Sequence, residues 1–71
     1  MTILIFKTNL RSAEDVKKVA VLLNGDARIP CWSVDRDDCD CVLRIEALGL
    51  ESGDVIDWVR RAGFECAELD G

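Results

Sequence analysis

The residues of this chain best suited to chemistry are its four cysteines, Cys31, Cys39, Cys41 and Cys66, and the acids that crowd two of them. Cys39 and Cys41 flank Asp40 in a C-x-C arrangement, with Asp35, Asp37 and Asp38 just upstream. Two thiolates at that spacing can hold a soft ion, either Cu(I) through both sulfurs or Zn(II) with Asp37, Asp38 or Asp40 adding oxygen ligands. Cys39 and Cys41 are therefore the candidate metal ligands. A plainer role competes for Cys41, which shares the parity of Leu43 and Ile45 and so reads as a small core residue at a strand start. Cys66 shares the parity of Phe64 and is expected to be packed. Cys31, next to Trp32, falls on the opposite parity and is expected on the uncovered side of its strand.

Other chemistries find less support. Asp35 to Glu46 spans twelve residues with acids at its first, third and twelfth positions, in the manner of a calcium loop. Cys39 stands where that loop needs an oxygen ligand and Asp40 where it needs the turn glycine, so the geometry fails. There is no histidine, which removes the commonest general base. Nor is there a glycine-rich phosphate loop or a nucleophile-base spacing, so an enzyme is not expected. Fourteen acids against nine bases give a net charge of -5, which repels phosphate backbones and anionic membranes and argues against nucleic acid as a partner. No apolar run approaches the roughly 20 residues that cross a bilayer, and the N-terminus lacks a basic leader. The expectation is a cytoplasmic protein, not inserted in a membrane, whose thiols stay free.

The elements that must position these residues follow from periodicity. Seventy-one residues suit one domain, 1-71, which buries only about 60% of its unfolded surface. Thr2 to Phe6 reads as a first strand, with Leu4 and Phe6 on one face and Ile3 and Ile5 on the other. Ser12 precedes Asp15 at capping-box spacing, and Val16, Val19, Ala20 and Leu23 recur at helical intervals until Asn24-Gly25. Arg28 to Asp35 is a second strand in which Trp32 and Val34 share a face, with Pro30 suited to an edge. Cys41 to Ala47 is a third strand, with Leu43 and Ile45 inward, and Asp35 to Asp40 makes the hairpin between them. Ser52 is expected to cap a second helix that carries Val55, Ile56, Val59 and Ala62 and stops at Gly63. Phe64 to Leu69 completes the set as a fourth strand.

This β-α-β-β-α-β order predicts an α+β, ferredoxin-like sandwich: a four-stranded antiparallel sheet, order 4-1-3-2, with two helices on one face. Loop one (Asn9 to Ser12), the hairpin and Gly63-Phe64 should then meet at one end. Along nearly its whole length the chain resembles the heavy-metal-associated domains, found as small copper chaperones and as N-terminal modules of metal-transporting P-type ATPases. The resemblance runs through "ILIFKT", "SAEDVKKVAVLL", "WSVDRDDCDCVLRIEA" and "SGDVIDWVRRAGFEC", with "RRAGFEC" its most characteristic piece. It implies a metal loop of the form M-x-C-x-x-C after the first strand. In this chain the two cysteine positions of that loop fall on Asn9 and Ser12, and the methionine falls near Lys7. An amide, a hydroxyl and an ammonium cannot replace two thiolates and a thioether around Cu(I), so Asn9 and Ser12 are expected not to bind metal.

What remains is surface. Leu4, Phe6, Cys31 and Val42 are expected to project from the sheet away from the helices, as an apolar face for a protein partner or a second copy of the chain. Trp32 and Trp58 read as packing residues, and Lys17, Lys18, Arg60 and Arg61 as solvated helix faces. The function expected is a non-catalytic binding or interaction module with a degenerate metal loop and no cofactor, the alternative being a Cu(I) or Zn(II) carrier through Cys39 and Cys41.

Overall fold

A computed structural model of the chain describes residues 2-37 and 39-69. These form, in chain order, β1 (Thr2-Thr8), α1 (Ala13-Asn24), β2 (Cys31-Asp35), β3 (Val42-Ala47), α2 (Ser52-Arg61) and β4 (Cys66-Glu68). The strands make one sheet in the order β2-β3-β1-β4, every neighbouring pair antiparallel. That is the expected order read from its other edge. Val19 and Leu23 of α1 and Val55 and Val59 of α2 join Leu43, Ile45 and Ala47 of β3 in a single core cluster. Both helices therefore pack on the same side of the sheet.

The first strand faces the opposite way from the sequence expectation. Leu4 and Phe6 were expected on the open side, yet Phe6 is fully buried, Leu4 nearly so, and both belong to the core cluster beneath the helices. The cause is register. Leu4 stands opposite Ile45 and Phe6 opposite Leu43, and directly opposed residues project to the same face of a sheet. Because Leu43 and Ile45 point inward, Leu4 and Phe6 must as well. Ile3, 48% exposed, and Ile5 take the open side instead. Cys31, exposed, and Val42, half-buried, do lie on that side.

Helix boundaries follow local chemistry. The Ser12 hydroxyl accepts the Asp15 N-H at 3.1 Å while the Asp15 carboxylate accepts the Ser12 N-H at 3.4 Å, so α1 opens with the full reciprocal box. At α2 the cap is Glu51 and not Ser52, which is the first helical residue. The Glu51 N-H is satisfied by the Asp54 carboxylate at 3.2 Å, and the Ser52 hydroxyl is engaged by the Glu68 carboxylate of β4. The helix ends in a Schellman arrangement: the Phe64 N-H reaches the Val59 carbonyl at 3.2 Å and the Gly63 N-H the Arg60 carbonyl at 3.0 Å. Gly63 sits at φ +96°, a left-handed conformation that glycine adopts without a Cβ penalty. This use of Gly63 and Phe64 is why β4 starts only at Cys66. β2 starts at Cys31 and not Arg28: the Arg28 and Ile29 N-H groups are taken by Asp26 in the turn after α1 and Pro30 has none, although the Arg28 carbonyl still accepts the Leu48 N-H at 2.7 Å.

Candidate functional site

Loop one, the hairpin and the start of β4 do meet at one end of the sheet, and the residue that joins them is Thr8. The last residue of β1, it lies on the inward parity with Leu4 and Phe6 and is 7% exposed. Its hydroxyl donates to the Cys41 carbonyl at 2.6 Å and accepts the Leu10 N-H at 3.2 Å, while its own N-H donates to the Asp40 carbonyl at 3.0 Å. On its other side Thr8 stands opposite Cys66 of β4. One short side chain thus satisfies a donor in loop one and an acceptor in the hairpin. Leaving either group unpaired at this depth would be costly. Nothing in the sequence marks Thr8 for that role, because its buried parity follows only from the register of β1 against β3.

Asn9 and Ser12, at the positions where the family resemblance places metal thiolates, are both engaged in hydrogen bonds that support the fold. The Asn9 side-chain oxygen accepts the Glu65 N-H at 2.8 Å, tying loop one to the approach to β4, and Ser12 caps α1. Lys7, near the methionine position, extends its ammonium to the Asp40 carboxylate at 3.5 Å. The chemistry of this donor set does not fit a soft metal ion.

The alternative ligands are unequal. Cys39 is exposed on the hairpin, whereas Cys41 is 4% exposed and lies just outside β3 with φ +44°. A left-handed backbone is uncommon for a residue with a Cβ; here the Thr8 bond to its carbonyl helps to hold it. The burial expected of Cys41 is observed, though Cys41 lies directly before β3 and is not its first residue. Asp38, named among the oxygen ligands, lies outside the described residues. Among the described residues no group of three or more cysteines and acids is assembled in a way that could hold an ion.

The remaining thiols sit apart. Cys66 is half-buried against the core, and burial pushes its thiol up to about 11. Cys31 is exposed on β2 beside Ser33, Arg44 and Glu46, which with it line a small hollow of about 60 Å³. Trp32 packs against the core while its indole N-H donates to the Asn24 side chain at 2.8 Å. Trp58 packs on the core and lies beneath the Arg28 guanidinium, 5.6 Å from the ring centre. Arg28 is held in turn by Asp26, whose carboxyl the guanidinium and the Arg28 backbone N-H lower to about 2. Among the described residues no helix is long and apolar enough to cross a membrane. Comparison of the chain with protein-family models and with curated proteins finds no match in either.

Proposed function

We propose that this chain is a ferredoxin-like domain of the heavy-metal-associated kind whose metal loop has been converted to structural use, and that it works in the cytoplasm as a non-catalytic protein-interaction module. The observation that carries this reading is the state of Asn9 and Ser12. Each contributes a hydrogen bond that fastens a secondary-structure junction, so the loop is occupied in holding the fold together and offers no soft donor. The strand order and the placement of both helices in one core cluster support the topological half of the proposal. A protein surface fits the remaining features: a net charge of -5 that disfavours nucleic acid, and large apolar side chains left exposed at Ile3, Val21, Leu22 and Leu48.

The test sets this reading against a soft-metal carrier through Cys39 and Cys41. Reduced wild type and the Cys39→Ser/Cys41→Ser variant are titrated with Cu(I), and separately with Zn(II), in the presence of a competing chelator, with thermal midpoint and hydrodynamic size followed together. A true thiolate site would release protons on loading, weaken as pH falls, and raise the midpoint with ligand excess. Equal and weak responses from the two proteins are expected. Tight, proton-releasing binding by wild type alone would replace the interaction module with a carrier.

A further inference from the structure

We infer that the open face of the sheet is a self-complementary dimer surface and that its partner is a second copy of this chain. The inference rests on the interaction-module reading and names the module's partner. Along β3, Arg44 and Glu46 alternate with the buried Leu43, Ile45 and Ala47 and so project from the side away from the helices. Along β1, Ile3 and Ile5 alternate with Leu4 and Phe6 in the same way, and Ile3 is 48% exposed. Strand pairing lines these side chains up in two rows across the sheet, with Cys31, Glu46 and Ile3 in one and Ser33, Arg44 and Ile5 in the next. Each charge therefore has uncharged neighbours on both sides. Neither Arg44 nor Glu46 belongs to an ion pair among the described residues.

The two rows fit each other. When a second sheet is given half a turn about an in-plane axis that runs across the strands between the rows, each row comes to lie over the other. Glu46 then meets Arg44 of the second copy, and Arg44 meets that copy's Glu46, so one symmetry operation generates two contacts of opposite sign. The same turn lays Ile3 against Ile5 of the second copy, apolar on apolar, and Cys31 against Ser33, two small side chains that let the sheets approach. Leu48, 46% exposed, continues the parity of Glu46 just beyond β3 and falls over Val42. Aligned face-to-face sheets keep their strands within about 30° of each other, so the match is closest near the axis, where the charges and isoleucines lie. A foreign partner would have to reproduce this order of charged and apolar side chains, whereas a second copy carries it already. The face is small and each copy has a net charge of -5, so association is reversible and depends on concentration.

The test uses the full chain in reducing buffer with a chelator, so that neither a disulfide nor a metal ion can join two copies. Sedimentation equilibrium from about 1 μM to about 1 mM, the span of weak and transient interfaces, should show monomer and dimer in exchange. Arg44→Glu and Glu46→Arg should each weaken the dimer at least about ten-fold by setting like charges face to face. Reversal at Arg44 makes the chain more acidic and reversal at Glu46 makes it less so, and bulk repulsion alone would therefore shift the two variants in opposite directions. An equimolar mixture of the two variants should recover a dimer, seen by native mass spectrometry as the heterodimer, and Arg44→Glu/Glu46→Arg should recover the homodimer. Circular dichroism melts at the dilute end check that each variant folds. A chain that stays monomeric throughout, a dimer indifferent to the single reversals, or variants that fail to recover on mixing would overturn the inference. Each of those results leaves the interaction-module reading in place with a different protein as partner, whereas that reading itself falls to a tight metal site in the cysteine titration.

Discussion

Replacing Thr8 by Val removes one hydroxyl and leaves the shape of the side chain almost unchanged, which isolates what that hydroxyl does. In the wild type it serves two buried groups, the Cys41 carbonyl and the Leu10 N-H, and both residues are themselves buried, Leu10 completely. Each would be left unsatisfied in the variant, at about 1 to 3 kcal/mol apiece. Allowing for partial relaxation, the loss should be about 2 to 4 kcal/mol. A 71-residue domain at roughly 0.05 to 0.15 kcal/mol per residue has a total stability of about 4 to 11 kcal/mol. The substitution should therefore remove a large share of it and lower the thermal midpoint by at least about 10 °C. Thr8→Ser is the control, since it keeps the hydroxyl and deletes one methyl, at a cost of about 1 kcal/mol. Urea denaturation under reducing conditions, followed by tryptophan fluorescence, gives both values. A Thr8→Val protein within about 0.5 kcal/mol of wild type, or a Thr8→Ser protein that is the weaker of the two, would show that methyl packing and not the hydroxyl holds this end of the sheet.

Three further outcomes follow from the same geometry. Ser12→Ala should cost about 1 kcal/mol through loss of the α1 cap and leave Cu(I) affinity unchanged; a drop in that affinity would restore loop one as a metal site. The Asp26 carboxyl is lowered to about 2 first by its side-chain bond with Arg28, below its unfolded value, so the stability it contributes is present above about pH 4 and is lost as pH falls toward 2. In denaturant midpoints taken from pH 5 to 2, the gap between wild type and Asp26→Asn should narrow toward acid, and a gap that widens would contradict the pairing. Iodoacetamide at pH 8 should modify exposed Cys31 and Cys39 before buried Cys41 and before Cys66, whose thiol burial raises to about 11; peptide mass spectrometry that found Cys66 among the first labelled would contradict its burial.

Features decided within a few residues were the legible ones. The α1 box is complete in Ser12 and Asp15, and the stop at Gly63 needs only a left-handed backbone after an amphipathic run. Strand pairing was legible as well, because alternating helical and extended periods leave few ways to close a small sheet. The facing of β1 was not. Both parities of "TILIF" are apolar, so nothing local says which one is covered, and the answer lies in the register against β3 forty residues away. The same distance hid Thr8, whose partner Cys41 is 33 residues downstream. At α2 the cap falls one residue earlier than the sequence suggests, on Glu51, whose N-H the Asp54 carboxylate accepts, while the Ser52 hydroxyl meets Glu68, 16 residues on.

The two outer strands bear on how the protein behaves when concentrated. β4 has three residues, and β2 has five, bounded by Pro30 before Cys31 and by Asp35, Arg36 and Asp37 at its far end. Exposed strand edges are the templates on which chains join into fibrils, and nature blunts them by shortness, proline and charge. Pro30 has no N-H to extend a ladder upstream, and the charged run past Val34 brings like charges together whenever copies stack in parallel register. Any ladder begun on either edge is therefore only a few rungs long. Local opening of a small domain exposes such edges, and margins this short and charged limit how far a second copy can extend them.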